Sequence, residues 1–310
     1  MNKYFWKKIS LLLGLSLAII ISGCGGDDKE EEKDSQAENE TNLNVSEEMN
    51  YTITGIEPGA GITQATEKAL EGYENLSGWE FQTASTAAML TSLKDAYDNE
   101  EPIVITGWSP HWMFAEWDLK YLEDPKGIYG DVEYISTIVR KDLKTDMPEA
   151  YEILDRFHWE PEDMENLMQQ AQEMEFEEAA KKWVEHDDNK ERVSEWTEGL
   201  QQVDGQKIKL VLTPWDTERS SAHVMSQVLE NQGYDVTLTP VDPSVMIQAV
   251  ATGDADASLA PWLPRTHGDF YDAYEGEFED LGENLKGAKI GLVVPEYMDI
   301  KSIEELEAAD

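Results

Sequence analysis

The chain reads as an α/β protein of two lobes with a ligand cleft between them. Three observations predict this. Short β-branched runs alternate with helical runs of ten or more residues, the pattern of βαβ units and a parallel sheet. The order strand, helix, strand, helix, strand, aromatic connection occurs twice, at 51–124 and again at 207–280. The length of 310 residues exceeds one small core and fits one large domain or two lobes.

The elements follow in order. Residues 1–8 carry Lys3, Lys7 and Lys8, and an apolar run from Ile9 to Ile21 follows. That run falls short of the roughly 20 residues a spanning helix needs, so 1–23 reads as an export signal. Its end, Ile21-Ser22-Gly23-Cys24, resembles the lipobox of bacterial lipoproteins, and Cys24 is the only cysteine of the chain. Lipid chains on Cys24 would tether a soluble body to the membrane surface. Residues 24–49 are acidic and almost without apolar side chains, the composition of a disordered tether.

Lobe one is expected over 50–145, with 295–310 returning to it. It begins with a strand at 51–57, the turn Pro58-Gly59-Ala60-Gly61 and an amphipathic helix over 62–73. A strand at 79–84, a helix at 85–100 and a strand at 102–108 follow, then the aromatic connection 109–124. Lobe two is expected over 146–294. It opens with a mostly helical segment, 146–200, and continues as strand 207–215, helix 217–234, strand 235–241, helix 242–255 and strand 257–262. Two further apolar strands, 132–140 and 288–294, join the halves.

The formal charge of −41 excludes nucleic acid, whose phosphates need clustered Lys and Arg, and disfavours adsorption to anionic lipid. Such acidity keeps a surface solvated, and in a salty medium its self-repulsion is screened. One cysteine permits no internal disulfide and no Cys-rich zinc cluster. No HExxH pattern is present, so no metal is expected.

In open α/β sheets ligands sit beyond the carboxyl ends of the strands. Three strand ends here carry tryptophan: Trp108, Trp215 and Trp262, preceded by Gly107, Pro214 and Pro261. An indole face is the best aromatic partner for a cation, and quaternary ammonium groups are held in aromatic cages. Singly, each ring also fits a buried core position; together they point to a site. The turn at 58–62 opens a helix, where orphan N–H groups and the dipole bind anions, although it equally serves as a tight turn alone. His267 lies just past Trp262, within reach of an anion held there, and His111 follows Trp108 by three residues. Trp79, Trp159, Trp183 and Trp196 read as packing residues, as do Trp112 and Trp117. A cation box beside an anion hole implies a zwitterion on a short frame. No ordered nucleophile, base and acid set is evident; Ser220 or Ser221 with His223 is the best available, and no enzyme is expected.

At these residues the chain resembles the substrate-binding lipoproteins of glycine betaine/proline betaine ABC importers, the OpuAC-like family. The carrying stretches are GIEPGAGI (55–62), ITGWSPHWMFAEWDLKYLEDP (105–125), TPWDTERSSAHV (213–224), ASLAPWLPRTHGDFY (257–271) and AKIGLVVPEYM (288–298). The resemblance implies a periplasmic-binding-protein-like fold of type II that closes on its ligand. It implies a prism of Trp108, Trp215 and Trp262 around a trimethylammonium group. The carboxylate would rest on the backbone N–H groups of Gly61 and Ile62 and on the side chain of His267. It further implies an exported, lipid-anchored monomer serving an ABC permease and ATPase in osmoprotection, without a cofactor. Choline or carnitine in place of glycine betaine, or an exported esterase on a choline-like ester, are the alternatives. Where the family pattern has GIDPGSGI and SAW, this chain has GIEPGAGI and APW; Ala60 leaves the backbone of the turn unchanged.

Overall fold

The computed structural model describes residues 44–309. The export signal and Cys24 lie outside the described residues, as does most of the acidic segment. The expected tether reaches residue 49, yet 44–49 is built into the fold. Asn44 caps the short helix α1 (Val45–Glu48) by accepting from Glu47 N–H, the Ser46 hydroxyl accepts from Glu307 N–H, and Met49 is buried in the core. Eight acidic residues upstream say nothing about these local contacts, which is why composition overran the boundary.

The first strand group begins with β1 (Thr52–Thr54), and helix α2 (Gly61–Gly72) leads to β2 (Glu80–Gln82). Helix α3 (Thr86–Asp98), capped by the Ser85 hydroxyl, leads to β3 (Val104–Ser109). A short α4 (Met113–Glu116) and β4 (Leu119–Tyr121) complete the group. Strands β2, β1 and β3 run parallel in that order.

The second group starts at β5 (Glu133–Arg140). Five helices follow: α5 (Leu143–Asp146), α6 (Pro148–Arg156), α7 (Pro161–Gln170), α8 (Phe176–Glu185) and α9 (Lys190–Thr197). Proline at the first position of α6 and α7 suits a helix start, where no N–H partner is needed. The apolar faces of this layer enclose Phe157, Trp159, Trp183 and Trp196, whose rings stack or meet edge-on at 5.0–6.1 Å. Then come β6 (Lys207–Leu212), α10 (Asp216–Asn231), β7 (Asp235–Pro240) and α11 (Pro243–Thr252). Two short strands, β8 (Ala257–Ser258) and β9 (Trp262–Leu263), precede α12 (Gly268–Asp272). Strands β7, β6 and β8 are again parallel, so the second group repeats the first. The run expected as one strand at 257–262 is broken into β8 and β9, both pairing with β5; Pro261 between them has no N–H for the ladder.

The 18-residue strand β10 (Phe278–Pro295) ties the groups together. Its first part, to Ala288, pairs antiparallel with β5; from Lys289 on it pairs with β3 and β4. These pairings correct the expected division of the chain. β5 was expected in lobe one, but its edges are satisfied by β8, β9 and β10 on the lobe-two side. The end of β10 was expected in lobe two, but its edges are filled by β3 and β4. Residues after β10 run along the first group: Asn75 Nδ2 donates to Ile303 O at 2.7 Å and Trp79 Nε1 to Glu307 O at 2.8 Å.

Candidate functional site

The two lobes face each other around one cavity of about 340 Å3, counted to its open mouth. Its open surface is almost wholly apolar. Lobe one contributes Gly61, Ile62 and Trp108; lobe two contributes Trp215, Glu218, Trp262 and His267. All six residues singled out from the sequence as ligand contacts therefore line one space.

Each ring is positioned by a different device. Trp108 is the penultimate residue of β3, locked by pairing with Ile290 on β10, and its ring meets the His111 ring in a T-shaped arrangement at 4.7 Å. Trp215 is the N-cap residue of α10, and its Nε1–H donates to Glu57 Oε2 of lobe one at 3.1 Å. Glu57 is itself fixed, accepting from the backbone N–H and hydroxyl of Thr86 at 2.9 and 2.8 Å. Trp262 begins β9, pairs with Ile135 and donates its Nε1–H to Glu218 Oε1 at 3.0 Å. A second bridge between lobes runs from Trp112 Nε1 to Asp216 Oδ2 at 3.0 Å.

The polar end of the cavity is equally specific. Gly59, at φ +89°, makes the turn into α2, and Ala60 at the N-cap has no side chain to satisfy the first N–H groups of the helix. Those of Gly61 and Ile62 open beside the cavity, where orphan donors and the helix dipole favour an anion. His267 is 1% exposed, and its Nδ1 accepts the Trp262 backbone N–H at 3.0 Å. The ring proton therefore sits on Nε2, which has no partner in the protein. Burial holds the His267 pKa down, to about 4, so near neutral pH the ring is an uncharged donor.

Glu218 was missed by the sequence reading. At the third position of α10 an acid reads as an ordinary complement to the helix dipole. Here it is 3% exposed, and burial pushes its carboxyl up to about 7, against the lowering effect of bonds from Thr217, its own amide and Trp262. Its signal, an acid three residues after a strand-end tryptophan, is not distinctive. Glu57, behind Trp215, was missed for the same reason.

Other candidates fall elsewhere. His111 is fully buried, accepts from Met113 N–H at 3.1 Å and lies behind Trp108. Trp112 and Trp117 pack against each other at 5.5 Å outside the cavity. Ser220 and Ser221 donate back to the carbonyls of Asp216 and Thr217, and His223 stacks on Phe176 at 6.1 Å.

The family model described as the substrate binding domain of ABC-type glycine betaine transport system, OpuAC, matches residues 32–186 and 206–310. The chain belongs to the OpuAC family. A curated relative from Listeria monocytogenes, the glycine betaine/carnitine transport binding protein GbuC, is 49% identical over 268 residues. That match covers 86% of this chain and 89% of the relative. Among solved structures, lactococcal OpuAC in its closed-liganded conformation with glycine betaine is 51% identical over the matched part. The match has a TM-score of 0.46 and covers 48% of this chain and 58% of that one. The glycine betaine, L-proline ABC transporter binding protein ProX from Borrelia burgdorferi is 32% identical, with a TM-score of 0.46 and coverage of 50% and 58%. OpuAC-family membership makes this chain a two-lobed transport substrate-binding protein.

Proposed function

We propose that the chain captures glycine betaine outside the cytoplasm for an ABC permease and its ATPase. Trp108, Trp215 and Trp262 enclose the trimethylammonium group, and the N–H groups of Gly61 and Ile62 with His267 Nε2–H hold the carboxylate. One observation carries the reading: a buried imidazole donor with no partner opens onto the same apolar cavity as three indoles. A quaternary ammonium has no N–H to give, so ring quadrupoles and methyl contacts recognise it. A neutral imidazole and two helix amides recognise a carboxylate. On this reading ligand is held and released unchanged, as befits the substrate binding domain of a transport system.

The mature protein, titrated with glycine betaine and followed by tryptophan fluorescence, is expected to show a saturable change with one ligand per chain. No change, or an equal response to glycine, overturns the reading. Proline betaine and carnitine belong in the competition series, the latter because the Listeria relative is described as a glycine betaine/carnitine binder. We assign the membrane tether to lipid on Cys24. Metabolic labelling with a fatty acid should mark the wild-type chain in Gram-positive cells and leave Cys24→Ala unlabelled and shed into the medium.

A further inference from the structure

Glu218 makes no ligand contact in the reading above, yet it lines the cavity. Its Oε1 accepts the Trp262 Nε1–H, and its other oxygen bonds to the Thr217 hydroxyl. The glycine betaine cation, lacking N–H, cannot bond a carboxylate, but in a dry cavity it feels the field of one strongly. An indole that donates its N–H to an anion also presents a more negative face to the cation.

Building on the betaine reading, we propose that Glu218 is a specificity-determining residue: its carboxylate, behind Trp262, is the counter-charge to the quaternary ammonium and sheds its proton to solvent as the cation enters. Opposing influences act in the empty cavity. The α10 N-terminus and three hydrogen bonds favour the anion, while burial, with a smaller push from the charge of Asp216, favours the neutral acid and prevails, bringing the group to about 7. A cation added beside it reverses the balance.

The ionisable groups around Glu218 are otherwise engaged, with Asp216 adding to its upward shift. Asp216, on the same helix, is held by Trp112 and Gln172 and faces Arg219. Glu57, across the lobe interface, is held by Thr86 and Trp215. His267 is held near 4 by burial and stays neutral around pH 7. On α8, packed against α10, Glu177 acts on His223 at the helix's other side.

The test is calorimetry of the wild-type protein with glycine betaine and with tetramethylammonium, between pH 5.5 and 8.5, in buffers of different ionisation heat. Affinity for both should rise with pH, roughly tenfold for each pKa unit by which the cation lowers the carboxyl. A fraction of a proton should be released near pH 7. Glu218→Gln keeps an oxygen for the Trp262 N–H; its profile should be flat, without proton release, and its affinity at pH 8 lower than wild type. A flat wild-type profile without proton exchange, or an unchanged profile in E218Q, overturns the proposal while betaine binding stands. A pH dependence seen with glycine betaine but not with tetramethylammonium places the titrating group at the anion end and overturns it too. No saturable binding of betaine at any pH overturns the underlying reading.

Discussion

Gly61 shows how narrow the tolerance is at single residues. A Cβ built there would stand 2.2 Å from the carbonyl oxygen of Thr266 on the facing lobe, and backbone cannot yield as a flexible side chain can. Gly61→Ala should therefore hold the lobes apart, weakening betaine binding by at least about tenfold in fluorescence titration, with the thermal midpoint of the empty protein nearly unchanged. At the other end, each cation–π contact contributes about 0.5–2 kcal/mol. Trp262→Ala also loses packing, so its dissociation constant should rise by about one to two orders of magnitude. His267→Ala separates the two ends of the ligand: betaine affinity should fall while tetramethylammonium affinity changes little. Tryptophans at strand ends and a glycine turn are rare enough in a chain to be legible without a structure. Glu218 and Glu57 were not, because among 65 acids nothing in sequence marks two whose partners are indoles brought from 44 and 158 residues away.

At the scale of elements, three buried ionisable groups sit around the site on α10, the loop after β9 and the loop before α4. Burial lowers His111 to about 3 and His267 to about 4, from 6.5. Each contributes stability that is complete above pH 6.5 and lost as pH falls through the lower value, because the unfolded chain takes up the proton first. Glu218 is raised from 4.5 to about 7, so its contribution is complete below 4.5 and lost as pH rises toward 7. Between pH 6.5 and 4.5 two histidines oppose one glutamate. Their net effect is a loss of about 1.4 kcal/mol per pH unit on acidification. In Glu218→Gln the slope should steepen by about 1.4 kcal/mol per pH unit, which denaturant melts of the ligand-free protein at pH 6.5, 5.5 and 5.0 will measure. The helices and parallel strands were legible from apolar periodicity. The membership of β5 and the two-sided pairing of β10 were not, since a strand's sequence records which of its faces are buried and not which neighbours its edges find.

For the whole molecule, the charge of −41 and the binding chemistry occupy different places. Surface repulsion is screened over about 10 Å at 0.1 M salt and about 3 Å at 1 M. Raising NaCl across that range should raise the thermal midpoint. The cavity, shut from ions when the lobes meet, should change its betaine affinity by less than about threefold, read by calorimetry at each salt. The duplicated order of elements was legible across the chain; that the repeats interlock through a shared strand was visible only in three dimensions.

The mooring of Trp215 has a consequence for unloading. Its ring travels with one half of the molecule, while the carboxylate that steadies it belongs to the other. On the proposed reading, a transporter that pried the halves apart would do more than uncover the solute: it would slacken one wall of the chamber in the same movement. While the halves stayed apart, the departing solute would find no chamber to re-enter.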